Sequence, residues 1–194
     1  MPHIATPRRT LPLIWFVILL MFVVILAPVQ ARQEESMLGF AEWDCPFPAI
    51  EGVTCGYLTV LEDRAQPDGY TIDLAVAIIS PTGSDPDPVP VIYLEGGPGG
   101  APLISADSFL SEPIVENHTI ILFDQRGTGF SIPSLNCYEL ESESESGNPV
   151  QDCRDRLISE GVDLQAYNTA ASAADVADLV TALGYDTVNL WGIS

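Results

Sequence analysis

The sequence contains no lysine, and only seven arginines (8, 9, 32, 64, 126, 154 and 156) stand against 27 acidic residues. The resulting formal net charge of −20 repels a phosphate backbone and argues against nucleic acid as a partner. Histidine is almost missing, with His3 and His118 the only two. No two cysteines stand in a CxxC spacing, so ligands for a metal are scarce, and no metal and no cofactor is expected.

Long hydrophobic runs are also lacking, with one exception. "LPLIWFVILLMFVVILAP" at 11–28 follows a basic stretch with Arg8 and Arg9 and precedes Val29-Gln30-Ala31. A basic start, an apolar run and a small-residue ending predict an export signal over 1–31, cleaved after Ala31. An uncleaved membrane anchor is the rival, and membrane contact is expected only through this segment. Either route puts residues 32–194 in an exported location.

The four cysteines fit that compartment. Cys45 and Cys55 bound "CPFPAIEGVTC", and Cys137 and Cys153 bound a loop containing "ESESES". Three pairings are possible in principle. Each neighbouring pair encloses turn residues without strong periodicity, so Cys45–Cys55 and Cys137–Cys153 are the expected disulfides. "ESESES" itself reads as a solvated loop, and the sequon Asn117-His118-Thr119 as a chance match.

Residues 32–44 read as a polar lead-in. "GYLTVLED" and "YTIDLAVAIIS" read as two strands around the turn Gln66-Pro67-Asp68-Gly69. In the second, Ile72, Leu74, Val76 and Ile78 alternate with Thr71, Asp73, Ala75 and Ala77, which predicts a half-buried antiparallel hairpin at a sheet edge. "VPVIYLEG", "HTIILFDQ" and "DTVNLWG" are short apolar runs of the kind found in buried parallel strands. Between the last two, "NTAASAADVADLVTALGY" predicts a helix. Asn168 or Thr169 caps it, Ala173, Val176, Ala177, Val180 and Leu183 form its apolar face, Asp175 and Asp178 point to water, and Gly184 ends it. The fold class is therefore α/β, an antiparallel hairpin leading into a mostly parallel sheet with flanking helices.

Three strand ends carry candidate chemistry. In "LEGGPGG" (94–100), glycines expose backbone amides and suit an oxyanion hole, with Gly96 and Gly97 as the loop residues and the Gly97 amide as the preferred donor. A plain turn and a dinucleotide loop are the alternatives, and Pro98 interrupts the second pattern. In "FDQRGTGFS" (123–131), Asp124 and Arg126 are expected to pair and brace the site. In "WGIS", Gly192-Ile193-Ser194 after an apolar strand is the first half of G-x-S-x-G, the turn that holds a nucleophilic serine. Its glycine is expected where neighbouring segments leave no room for a β-carbon.

Taken in order, "WDCPFPAIEGVTCGYLTVLED", "LEGGPGG", "FDQRGTGFS", "NTAASAADVADLVTALGY" and "WGIS" resemble the α/β-hydrolases of the proline iminopeptidase and tripeptidyl aminopeptidase group, in its secreted branch. The resemblance runs from Trp43 to Ser194. It implies a serine exopeptidase acting on peptide N-termini or on small amides and esters, with Ser194 as nucleophile. It departs at Glu95, where proline iminopeptidases usually have histidine. In this fold the acid and histidine of the triad follow the serine. Residues 32–194 are thus expected to be the N-terminal portion of a longer hydrolase, inactive alone. An esterase or lipase-like hydrolase and a non-catalytic secreted binding domain are the competing expectations.

Overall fold

The computed structural model describes residues 39–141 and 147–194. The expected leader at 1–31 and all but Glu141 of the "ESESES" tract lie outside the described residues. Among the described residues no helix is long and apolar enough to cross a membrane.

Strands β2 (Val53–Leu61) and β3 (Thr71–Ile79) form the expected hairpin, paired antiparallel from Val53 opposite Ile79 to Leu61 opposite Thr71. The turn closes as Gly69 N donates to Gln66 O at 2.9 Å, while Asp63 accepts from Ala65 N and the Gln66 side chain. The hairpin differs from expectation in two ways. It is not the edge, because residues within the expected lead-in form β1 (Gly39–Glu42), which pairs outside β2. Nor is β3 half-buried. Ile72, Leu74 and Val76 enter one core, and Ala75, Ala77 and Ile79 enter another on the opposite face. The period of two survives, but small alanines admit packing with the segment Pro102–Glu116, so both faces are dry.

Three short parallel strands follow: β4 (Val91–Leu94), β5 (Ile120–Phe123) and β6 (Asn189–Gly192). The six-stranded sheet has the order β1-β2-β3-β5-β4-β6, with β5 antiparallel to β3 and parallel to β4. The α/β reading therefore holds, with the hairpin feeding the parallel part. Alternate residues of β5 divide between the two cores, Ile120 and Leu122 to one and Ile121 and Phe123 to the other. Strand β6 departs from the expected full burial. Among the described residues it is an edge strand, like β1 on the other side, and Leu190 is 59% exposed.

Short helix α1 (Ala106–Phe109) lies within the segment on one face, and α2 (Pro149–Ser159) begins at a proline after the Asn148 cap. Helix α3 (Thr169–Ala182) covers the other face. Its N-cap is Asn168, whose side chain accepts from Ala171 N. Its end is a Schellman closure, with Gly184 N donating to Thr181 O and Tyr185 N to Val180 O. The helix exists as expected, but its rotation is different. Ala173 and Ala177 are exposed, Leu179 is buried, and Asp175 is not on the wet side: it is fully buried.

The reason is Arg126. Its Nε and Nη2 donate to the two Asp175 oxygens at 2.7 and 2.8 Å, and its Nη1 donates to Glu62 O and Ala166 O. Arg64 closes the cluster by pairing with Asp175 and Asp178. Disulfides Cys45–Cys55 and Cys137–Cys153 are both present.

Removing one partner of a buried pair strands a charge. Asp175→Ala is expected to lower unfolding free energy by about 3–5 kcal/mol in urea titration. The double change Arg126→Met with Asp175→Leu is expected to cost less than that single change.

Candidate active site

The C-terminal ends of β5, β4 and β6 lie side by side, and α/β sheets bind ligands at such ends. They meet in an open cleft of about 950 Å³, walled by Leu94–Gly100, Gln125–Thr128, Leu135–Asn136, Tyr167–Thr169, Ser172 and Gly192–Ser194.

Ser194 stands at the end of β6 with φ of 66°, the only non-glycine residue with positive φ among those described. A serine is uncommon in this left-handed region, and such residues cluster at functional sites. The chain enters it through a bond from Ile193 N to Leu94 O, which ties the serine to the end of β4.

The glycine turn lies directly against that serine. A β-carbon placed on Gly96 would stand 2.6 Å from Ser194 Cβ and 2.7 Å from Ile193 O, so only glycine permits the approach. Gly97 and Gly99 hold φ of 131° and 96°, and Gly100 N closes the turn on Gly96 O at 3.1 Å. The Gly96 amide donates to Glu95 Oε1 at 2.9 Å. The Gly97 amide meets no acceptor among the described residues. Crowding at Gly192 is not found: a β-carbon there would meet nothing within 4 Å, because β6 has no neighbour on its outer side among the described residues.

Asp124 and Arg126 do not pair, contrary to expectation. Arg126 turns to Asp175, as described above. Asp124, fully buried, accepts from Leu103 N at 3.1 Å and from Phe130 N at 2.8 Å. It thereby stitches the loop after β4 to the loop after β5. Burial pushes its carboxyl above the ordinary range, against the pull of the two amides. Ser131 completes the stitch, donating to Asp124 O and accepting from Ala75 N. A β-carbon on Gly129 would overlap Asp124 Oδ2, which accounts for the second glycine of "RGTG".

His118 stays away from the cleft. It precedes β5, at the opposite end of the parallel strands from Ser194, with Nδ1 3.0 Å from Val89 O. Cys137, Glu139 and Cys153 come close enough to suggest metal ligands, but the sulfurs are bonded to each other and Glu139 pairs with Arg156.

Sequence reasoning missed three contributors. Gln125 donates from its side chain to Glu95 O at 3.0 Å, joining the two loops. Tyr93 donates from its hydroxyl to Glu95 Oε2 at 3.1 Å; burial and that carboxylate push the phenol upward. Tyr167 walls the cleft while its hydroxyl donates to Glu62 Oε1 at 2.9 Å. Their only signal in the sequence is position beside a glycine motif or a helix cap.

A family model described as alpha/beta hydrolase fold matches residues 89–194. A tripeptidyl aminopeptidase of Streptomyces coelicolor is 30% identical over 177 residues, covering 79% of this chain and 32% of the relative. A proline iminopeptidase of Aeromonas sobria is 37% identical over 89 residues, 43% of this chain and 21% of the relative. Both belong to the group that the motif order resembles. The chain spans about a third of the length of the first and less of the second. The crystal structure of a probable hydrolytic enzyme from Pseudomonas aeruginosa PAO1 aligns with a TM-score of 0.46 at 15% identity, over 72% of this chain and 33% of that one.

Crowding at the glycine turn has a measurable cost. Gly96→Ala is expected to destabilise the protein by about 1–3 kcal/mol through overpacking, read by denaturant unfolding. Gly39→Ala, in the exposed strand β1 where a β-carbon meets nothing within 4 Å, serves as the control and is expected to stay within about 0.5 kcal/mol of wild type.

Proposed function

The chain belongs to the α/β-hydrolase fold family, and from that premise we propose that the full-length protein is an exported serine hydrolase of aminopeptidase type, with Ser194 as nucleophile. One observation carries the reading: Ser194 stands just past a strand end with φ of 66°, pressed against Gly96 of a turn with a free amide at Gly97. The curated relatives, named as a tripeptidyl aminopeptidase and a proline iminopeptidase, support release of N-terminal residues from peptides. Two disulfides fit an oxidising compartment, and residues 1–31 serve as leader or anchor.

In this reading Ser194 Oγ attacks the scissile carbonyl carbon of a peptide, or of a small amide or ester. A histidine of the full-length protein, outside the described residues and oriented by a carboxylate, takes the hydroxyl proton and passes it to the departing amine. The carbonyl oxygen gains negative charge opposite the Gly97 amide. The N-terminal residue or residues stay as an ester on Ser194 until water releases them. The buried Arg126–Asp175 pair and Asp124 hold the walls. Among the described residues the one histidine, His118, lies away from Ser194, so residues 1–194 alone are expected to turn nothing over, since a serine hydroxyl without a base is a weak nucleophile.

The test uses the full-length protein and its Ser194→Ala variant on a peptide with a free N-terminus, the same peptide acetylated, and a simple ester. Wild type is expected to release N-terminal residues from the free peptide only, and Ser194→Ala to lose about 10⁴-fold or more in kcat. Ester cleavage without any N-terminal release refutes the aminopeptidase assignment. Undiminished turnover by Ser194→Ala refutes the nucleophile. A fluorophosphonate is expected to label Ser194 in the full-length protein and not in residues 1–194; labelling of the latter contradicts the predicted inactivity.

A further inference from the structure

We propose that Glu95 is a positioning residue for the oxyanion site, its carboxylate holding the glycine turn so that the Gly97 amide, and not the Gly96 amide, faces the reacting carbonyl. The proposal rests on Ser194 acting as nucleophile and deepens that reading.

Both carboxylate oxygens are engaged. Oε1 accepts from Gly96 N at 2.9 Å, and Oε2 accepts from the Tyr93 hydroxyl at 3.1 Å. Tyr93 is itself fixed: its buried ring packs edge-on against Phe109 and Trp191, with centroids 4.7 and 5.0 Å away. Trp191 sits opposite Tyr93 in the β4–β6 register, three residues before Ser194. The carboxylate is therefore referenced to the strand that delivers the serine. The Glu95 side chain also lies beneath the turn, where its Cγ and Gly96 O leave no room for a β-carbon on Gly100.

The amides of the turn sort accordingly. Gly96 N is consumed by Glu95, Gly100 N by Gly96 O, and Pro98 has none to give. Gly97 N and Gly99 N remain open, and of the two Gly97 N is the one next to the glycine that touches Ser194. A carboxylate beside a developing oxyanion opposes it electrostatically. Two donors on that carboxylate reduce the penalty, and the shape it imposes is what the turn requires. Glutamine reproduces the shape without the charge.

In the full-length protein, Glu95→Ala is expected to lower kcat about tenfold to a hundredfold, less than outright loss of an oxyanion donor, with KM changed less than about threefold. Affinity for a peptide boronate, which mimics the tetrahedral adduct, is expected to fall in parallel, while affinity for the released product stays unchanged. Glu95→Gln is expected to restore kcat to within about threefold of wild type, because the Gly96 acceptor is kept. Tyr93→Phe keeps the ring packing and tests the same clasp should Glu95→Ala fold poorly. It is expected to lower kcat in the same direction and to add nothing in the Glu95→Ala background. Wild-type kcat and boronate affinity in Glu95→Ala, or in Tyr93→Phe where the alanine variant is unstable, overturn the proposal. So does a glutamine variant no better than alanine. If Ser194→Ala retains full turnover, the underlying reading fails and takes the proposal with it; if only the Glu95 results fail, the nucleophile stands.

Discussion

One buried ion pair sets the relations among the parts that matter. Arg126 reaches from the turn after β5 to Asp175 in the middle of α3, and its remaining donors hold Glu62 O at the end of β2 and Ala166 O before the helix. Four segments distant in sequence are thereby fixed by one planar fork, a task that lysine, as a point charge, does not perform. Desolvating both ions is costly, so net stability is a weak reason for such a pair. Registration is a better one. Helix α3 leads into β6, and β6 presents Ser194; a rotation of α3 would move the serine relative to the glycine turn.

The second constraint is steric. Gly96 comes so close to Ser194 and Ile193 O that a single methyl group would separate them. Electrostatic stabilisation of a developing charge depends on donors fixed in advance. The glycine turn is held in its shape by hydrogen bonds from the Tyr93 hydroxyl and the Gly96 amide to the Glu95 carboxylate and from the Gln125 side chain to Glu95 O, the arrangement the proposed oxyanion site would need. Asp124 adds a stitch one layer deeper, between the same two loops.

Much of this was legible in the sequence because it depends on local chemistry. The period-two runs, the Asn168 cap, the Gly184 stop and the glycine clusters at strand ends are all short-range signals, and the elements they mark are present. What escaped depends on partners far away in the chain. An aspartate on an alanine-rich helix reads as solvent-facing until an arginine 49 residues earlier is seen to need it. Asp124 and Arg126 look like a pair because they are neighbours in sequence. Two residues apart at the end of a strand, they serve different layers. Ala75 and Ala77 read as the wet side of β3 because alanine is ambiguous, and only the segment packed on them decides the matter. Glu95 stood out as a departure from the related motif, yet its partner Tyr93 was invisible, since a strand residue gives no sign of where its hydroxyl points.

The wall of the cleft at Leu135 and Asn136 hangs from the Cys137–Cys153 crosslink, and also from Arg156, which donates to Asn136 O and Glu139 and stacks on Tyr138. The first tether is indifferent to dissolved ions, and the Arg156–Glu139 pair, with side chains 17% and 12% exposed, is screened only weakly. Were that disulfide reduced, Arg156 would be the tether left to hold this side of the cleft, and the loop would rest on one side chain instead of a covalent link.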